Sequence, residues 1–163
     1  MSDSERLASI EALVMDVDGV LTDGTFSWSA SGDETKSFSF EDVMGLSRAR
    51  QAGLTLGLIS GEDSVLVDRF AGKLAITHVA KGCKEKGAAL RGFAETTGIA
   101  LARTAYIGDD VNDLPALAVA GLSVAPANAQ PQVRAAVALV MKRSGGHGAV
   151  REFVEMILAA RSR

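Results

Sequence analysis

Three apolar runs in this chain each stop abruptly at a small polar cluster, and that repeated ending narrows the possible folds more than any other feature. Residues 10–15 lead into Asp16-Val17-Asp18-Gly19, residues 54–59 into Ser60-Gly61, and residues 105–107 into Gly108-Asp109-Asp110. Shorter apolar pieces at 76–79, 122–124 and 137–140 read as further strands. Segments near 42–52, 62–73, 84–97, 111–119 and 130–135 have helical character. In the last helix Val150, Phe153, Val154, Ile157 and Leu158 share one face. Strands alternating with helices predict an α/β, Rossmann-like fold: a doubly wound, mostly parallel sheet covered on both faces. Ligands of such sheets bind beyond the carboxyl ends of the strands, where each of these polar clusters falls.

One stretch breaks the alternation. Between Thr25 and Phe40, two alternating runs flank a Gly32-Asp33 turn, which predicts a protruding hairpin near 25–40. Its aromatic residues either pack on the domain or meet another subunit. No linker, repeat or low-complexity segment divides residues 1–163, so a single domain is expected.

Composition excludes several classes. The net charge of −3 comes from dispersed acids and bases, so no basic footprint for nucleic acid is present. A phosphorylated substrate must then be met by a few well-placed cations. No apolar run approaches the about 20 residues a bilayer span needs, and the polar, acidic start at Met1-Ser2-Asp3-Ser4-Glu5 is no targeting peptide. The lone Cys83 can form no internal disulfide and reads as a small helix-start residue. A cytoplasmic protein is expected.

The strongest chemical signal is Asp16-Val17-Asp18-Gly19. Two carboxylates at i and i+2 beyond a strand point the same way across the pleat and can divide labour if their environments differ. One stays ionised as nucleophile and metal ligand; the other holds a proton for a leaving alkoxide. Gly19 lets the backbone turn tightly beside a phosphate. Ser60 and the Gly61 amide can hydrogen-bond a phosphoryl oxygen, and Lys86 can neutralise charge. Asp109 offers a second hard oxygen ligand, and magnesium suits one or two carboxylates with waters and phosphate. Each has a bland alternative: an acidic turn, helix caps at Ser60, Asp109 and Asp110, a solvated lysine at Lys86. Four such coincidences, in order, on four strand ends outweigh them.

The order D-x-D-G, S-G, Lys, G-D-D-x-x-D resembles the haloacid dehalogenase superfamily. The hairpin ending in K-x-F, His78-x-x-x-Gly82-x-x-x-Lys86, and the terminal G-G-x-G-x-x-R-E extend the resemblance over nearly the whole chain. They match its capless branch, similar to phosphatases of 3-deoxy-D-manno-octulosonate 8-phosphate and of nine-carbon keto-deoxy sugar acid 9-phosphates. The same module also occurs beside sialic-acid cytidylyltransferases. The resemblance implies that Asp16 is the nucleophile and a magnesium ligand. It makes Asp18 the general acid and base, with its backbone carbonyl on the metal. Ser60 and Lys86 would hold the phosphoryl group, Asp109 would be the second metal carboxylate, and Asp110 and Asp113 would support the metal waters and Lys86. It also implies no cap domain and a homotetramer joined through the hairpins, whose neighbours close the site.

Two departures bear on the substrate. Octulosonate enzymes typically carry Arg where Glu62 stands, whereas the nine-carbon enzymes carry Glu followed by a Lys at about the place of Lys73. A Glu–Lys pair lacks the bidentate carboxylate clamp of Arg. His147 likewise replaces an Arg, and either contacts substrate or occupies a loop. The expected substrate is thus a keto-deoxy sugar acid phosphate, octulosonate or nonulosonate, with a broader sugar phosphatase as the alternative. A signalling receiver is disfavoured because its phosphorylated Asp ends the third strand, where this chain has none. A silent oligomerising module is disfavoured by intact Asp16, Asp18, Lys86 and Asp109.

Overall fold

The chain lays its first strand in the middle of the sheet and then builds outward on one side before returning to the other. The computed structural model describes residues 1–163. The parallel sheet comprises β1 (Ala12–Met15), β4 (Thr55–Ile59), β5 (His78–Ala80), β6 (Thr104–Ile107), β7 (Leu122–Ala125) and β8 (Leu139–Val140). Their order is β5-β4-β1-β6-β7-β8, with every pairing parallel. The order reverses between β1 and β6. A crevice forms at such a switch point, and Asp16 and Gly108 directly follow the two strands that flank it.

Alternation along β1 explains the two covered faces. Leu13 and Met15 join a cluster with Leu46 of α2 (Phe40–Gln51), Phe70 of α3 (Val65–Lys73), and Phe153 and Ile157 of α7 (Ala149–Arg161). Ala12 and Val14 face the other way, onto Leu90 and Phe93 of α4 (Lys86–Thr97), Leu117 of α5 (Leu114–Val119) and Val133 of α6 (Pro131–Ala136). The expected doubly wound α/β sheet is what the chain forms. No helix is long and apolar enough to cross a membrane.

Boundaries moved where side chains cap helices. The helix expected over 62–73 begins at Val65, because the Ser64 hydroxyl accepts from Leu66 N–H. The segment 111–119 divides into a 3-10 turn at Val111–Asp113 and then α5. The strand expected at 137–140 contracts to its last two residues, and the one at 76–79 shifts to His78–Ala80 because Ile76 N–H still bonds Ala71 in the exit from α3. A short α1 (Asp3–Ala8) was not expected: it is too brief for periodicity. Its Ser2–Glu5 capping box is nonetheless visible in the sequence.

The hairpin is present, with β2 (Ser27–Trp28) and β3 (Glu34–Thr35) antiparallel. It projects rather than folding back: Trp28 is 69% exposed and Phe26 53%. Trp28 Nε1 donates to Glu34 at 3.0 Å and its ring lies 4.9 Å from that of Phe26. At the base, Phe38 stacks on Phe70 at 4.7 Å and anchors the returning strand to α3.

The terminal glycine loop is tied to the first motif. Asn128 donates to the Gly19 carbonyl at 3.1 Å and accepts from Gly145 N–H at 2.7 Å, while Gly146 N–H reaches the Val20 carbonyl. A Cβ on Gly145 would overlap the Gly19 carbonyl oxygen. Gly145→Ala should therefore force the two loops apart. Overpacking of about 1–3 kcal/mol corresponds to a fall of about 3–10 °C in Tm. An unchanged thermal melt would show that the loops do not depend on this contact.

Candidate active site

Each polar cluster is carried to the crevice by the strand before it. Asp16 N–H bonds the Ile107 carbonyl at 3.0 Å, so the β1–β6 ladder continues one residue past the strand. The chain then turns tightly, with Val17 O accepting from Val20, Leu21 and Thr22. Gly19 sits at φ +83°, and a Cβ there would overlap the Asp109 carboxylate. Glycine is needed here both for the backbone conformation and for the close approach of Asp109.

Lys86 opens α4 but is only 1% exposed. Its ammonium lies 3.0 Å from Asp16 Oδ1 and 2.9 Å from Asp113 Oδ1. Asp113 is fully buried and completely satisfied. Tyr106 OH and Lys86 donate to Oδ1, and the Asp109 and Asp110 N–H groups donate to Oδ2. Burial alone would push the Lys86 ammonium down, but Asp16 and Asp113 outweigh it and hold it above its ordinary value. Burial, reinforced by Asp113, pushes the Asp16 carboxyl up; Lys86 works against that shift.

Asp16, Asp109 and Asp113 present carboxylate oxygens within 4.8 Å of one another. Asp113 has no oxygen to spare, so the free ligand capacity belongs to Asp16 and Asp109. Asp109 Oδ1 is buried without any partner, and burial followed by repulsion from Asp113 raises its carboxyl to about 7. One ammonium does not balance three carboxylates. An orphaned hard oxygen beside a second carboxylate is the donor set a small divalent cation takes.

The cleft has a volume of about 410 Å³. Asp16, Asp18, Gly61, Glu62, Lys86, Asp109 and Asp110 line it, together with Gly24, Phe26, Lys36, Lys84 and Asn112. Ser60 lies just beneath, 1% exposed, its hydroxyl accepting from Glu62 N–H while its own hydrogen stays available. Asp110 caps the 3-10 turn through Val111 N–H at 2.7 Å. Cys83 precedes α4 in a partly buried loop and donates its N–H to the Ser60 carbonyl.

Two of the proposed specificity residues are not in this cleft. Lys73 lines a separate groove with Phe38, Phe40 and Phe70, whereas Glu62 lines the cleft. Glu62 precedes α3, and Lys73 ends it. His147 is exposed ahead of α7. It adds a minor part to the lowering of the Asp23 carboxyl, which Thr25 mainly causes. Conversely, Lys36, Lys84 and Tyr106 escaped the sequence reading as site residues. Lys36 stood in the K-x-F match, but nothing in a hairpin pattern tells which way a lysine reaches.

The comparisons with known proteins bear on this geometry. A family model described as haloacid dehalogenase-like hydrolase matches residues 76–153. The 3-deoxy-D-manno-octulosonate 8-phosphate phosphatase of Haemophilus influenzae is 39% identical over 159 residues, covering 98% of this chain and 88% of the relative. This chain belongs to the haloacid dehalogenase-like hydrolases. Among solved members, the octulosonate 8-phosphate phosphatase of Moraxella catarrhalis, crystallised with magnesium, phosphate and the sugar acid, superposes with a TM-score of 0.94 at 40% identity. That match covers 98% of this chain and 91% of the other. A Legionella pneumophila member described as a putative hydrolase of the superfamily gives 0.95 at 40% identity, over 98% of this chain and 87% of its own.

The raised Asp109 carboxyl sets a sign for metal binding. In the metal-free protein the folded state keeps a proton that the unfolded chain, near about 3.9, has already released. That contribution to stability is lost as pH rises through about 7. A cation needs the oxygen deprotonated. Magnesium at one fixed concentration, about 100 times its Kd at about pH 8, should raise Tm by about 5–10 °C at that pH and clearly less at about pH 5.5, where the protonated oxygen weakens binding. Equal shifts at both pH values in a thermal-melt series would remove Asp109 as a ligand.

Proposed function

We propose that this chain is a magnesium-dependent phosphatase that hydrolyses the terminal phosphate ester of 3-deoxy-D-manno-octulosonate 8-phosphate. The observation that carries the reading is the buried Asp16–Lys86–Asp113 chain beside the unpartnered Asp109 oxygen, at the switch point of the sheet. The identity to octulosonate 8-phosphate phosphatases over nearly the whole chain supplies the substrate. Glu62 replaces a typical arginine of that branch without changing which relatives the chain matches, and the nine-carbon acid 9-phosphate stays as the competing substrate.

Asp16 and Asp109, with the Asp18 carbonyl, would hold magnesium, which neutralises phosphoryl charge when bound. Asp16 attacks phosphorus, the bond to the sugar oxygen breaks, and an aspartyl-phosphate forms. Asp18 gives its proton to the leaving alkoxide, then takes one from the water that attacks phosphorus and frees inorganic phosphate. Lys86, Ser60 and the Gly61 amide hold the phosphoryl oxygens, so catalysis rests on positioning and charge compensation. Asp113, and Asp110 at the cleft rim, keep Lys86 and the metal waters in place.

The exposed Phe26 and Trp28 fit a homotetramer joined through the hairpins, in which a neighbour's surface closes the open cleft. Glu62 then reads the sugar from within the chain. Lys73 and His147 reach it only across a subunit boundary.

Phosphate release with magnesium should favour octulosonate 8-phosphate over the nine-carbon keto-deoxy acid 9-phosphate, N-acetylneuraminate 9-phosphate and hexose phosphates. A preference for a nine-carbon acid would move the substrate assignment and leave the chemistry intact. Asp16→Asn should lower kcat by at least about 10⁴-fold, since no nucleophile remains, with an unchanged fold by circular dichroism. Retained turnover would remove the nucleophile assignment.

A further inference from the structure

We infer that Lys36, from the base of the hairpin, is the positioning residue that aims the Asp18 carboxylate at the reacting phosphate. The inference rests on the phosphatase reading and on Asp18 as its proton-transfer group.

The neighbouring carboxylates differ in how they are held. Asp113 has four donors, and Asp16 has Lys86 together with Val17 N–H. Asp18 has almost nothing from its own loop, since Thr22 Oγ1 stands at 3.5 Å, the outer limit of a hydrogen bond. Its close partner is Lys36 Nζ, 2.9 Å from Oδ1 and 3.0 Å from Oδ2, so the ammonium is within reach of either oxygen and can hold one while the other carries the proton. Without it, the carboxylate is free to turn about two side-chain bonds.

The burial of Lys36 points the same way. Every residue from Asp23 to Thr35 is exposed, yet the Lys36 side chain is 4% exposed. A lysine on a projecting ribbon would ordinarily stay in water, because desolvating an ammonium costs several kcal/mol unless it is paired. Here the pairing is with Asp18, with Glu34 more distant at 3.9 Å. Lys36 lines both the cleft and the groove of Phe38, Leu66 and Phe70, so its stem forms part of the wall between them. Two residues on, the Phe38–Phe70 stack fixes the strand that carries it. The sequence of support runs from α3 through Phe38 and Lys36 to Asp18. The group that protonates the leaving oxygen is thus placed by a segment outside the sheet.

A proton-transfer group displaced by about 1 Å loses about 100-fold in rate. Lys36→Met keeps the stem and removes the ammonium. On octulosonate 8-phosphate and on p-nitrophenyl phosphate, with saturating magnesium, it should lower kcat about 10- to 100-fold and leave KM within about twofold. Lys36→Arg, which keeps a cationic donor within reach of Asp18, should restore most of the rate. In an Asp18→Asn background, assayed at enzyme concentrations high enough to read a residual rate, Lys36→Met should cost less than about twofold more, because the residue it positions is already disabled. Thermal melts establish that each variant is folded, and Lys36→Gln carries the same comparison if the methionine variant is not.

A full kcat in Lys36→Met, a rise in KM alone, or losses that multiply in the Asp18→Asn background would each overturn the inference while the phosphatase stands. An Asp18→Asn enzyme with undiminished kcat would overturn the acid–base reading and the role of Lys36 with it. A wild type inert toward both esters would overturn the phosphatase reading itself.

Discussion

The ammonium of Lys86 is the one fully buried cation in the crevice, and three strand ends are arranged around it. Burying it without partners would cost several kcal/mol, so the fold must deliver Asp16 from β1 and Asp113 from beyond β6 to within 3.0 Å. Asp113 in turn is held by Tyr106 and two backbone amides, so it cannot rotate to release the lysine. The result is a rigid charged core with one deliberate imperfection. Asp109, drawn in above Gly19, keeps an oxygen with no partner. A buried polar atom of that kind is costly to stability and is tolerated where a ligand completes it.

Around that core the backbone gives way wherever a side chain would intrude. Gly19 lets Asp109 lie against the first turn, and Gly145 lets the terminal loop press on the Gly19 carbonyl. Asn128 stitches the two together from a third direction. At the far side, Asp42 of α2 accepts from Arg151 N–H at 3.0 Å and caps the start of α7 from another helix. The apolar sheet thus sets the distances between strand ends, and these few polar ties set the loops.

Much of this was legible before any coordinates. Apolar runs that end in Asp16, Ser60 and Asp109 could be read as strands because the sheet buries both faces and leaves only the ends polar. Helix starts were less legible, since a cap such as Ser64 acts through local geometry that periodicity does not register. Glu62 and Lys73 show the consequence: the helix begins after Glu62, and Lys73 emerges over a different groove. Lys36 and Tyr106 were hidden for a more general reason. A lysine in a hairpin and a tyrosine in an apolar strand look like surface and core, and only the tertiary path brings them to Asp18 and Asp113.

The central position of β1 also bears on how the protein comes into being. Its two neighbours in the sheet are separated from it by roughly forty and ninety residues of chain, a pattern of distant pairings that slows folding. During synthesis the strand that carries Asp16 waits, its two edges open, until β4 and then β6 have been made. The ties through Asn128 and Gly145 come later in the chain than either ladder. A nascent chain therefore cannot close both ladders of β1 until β6 has been made, and cannot tie the crevice loops together until Gly145 has followed it.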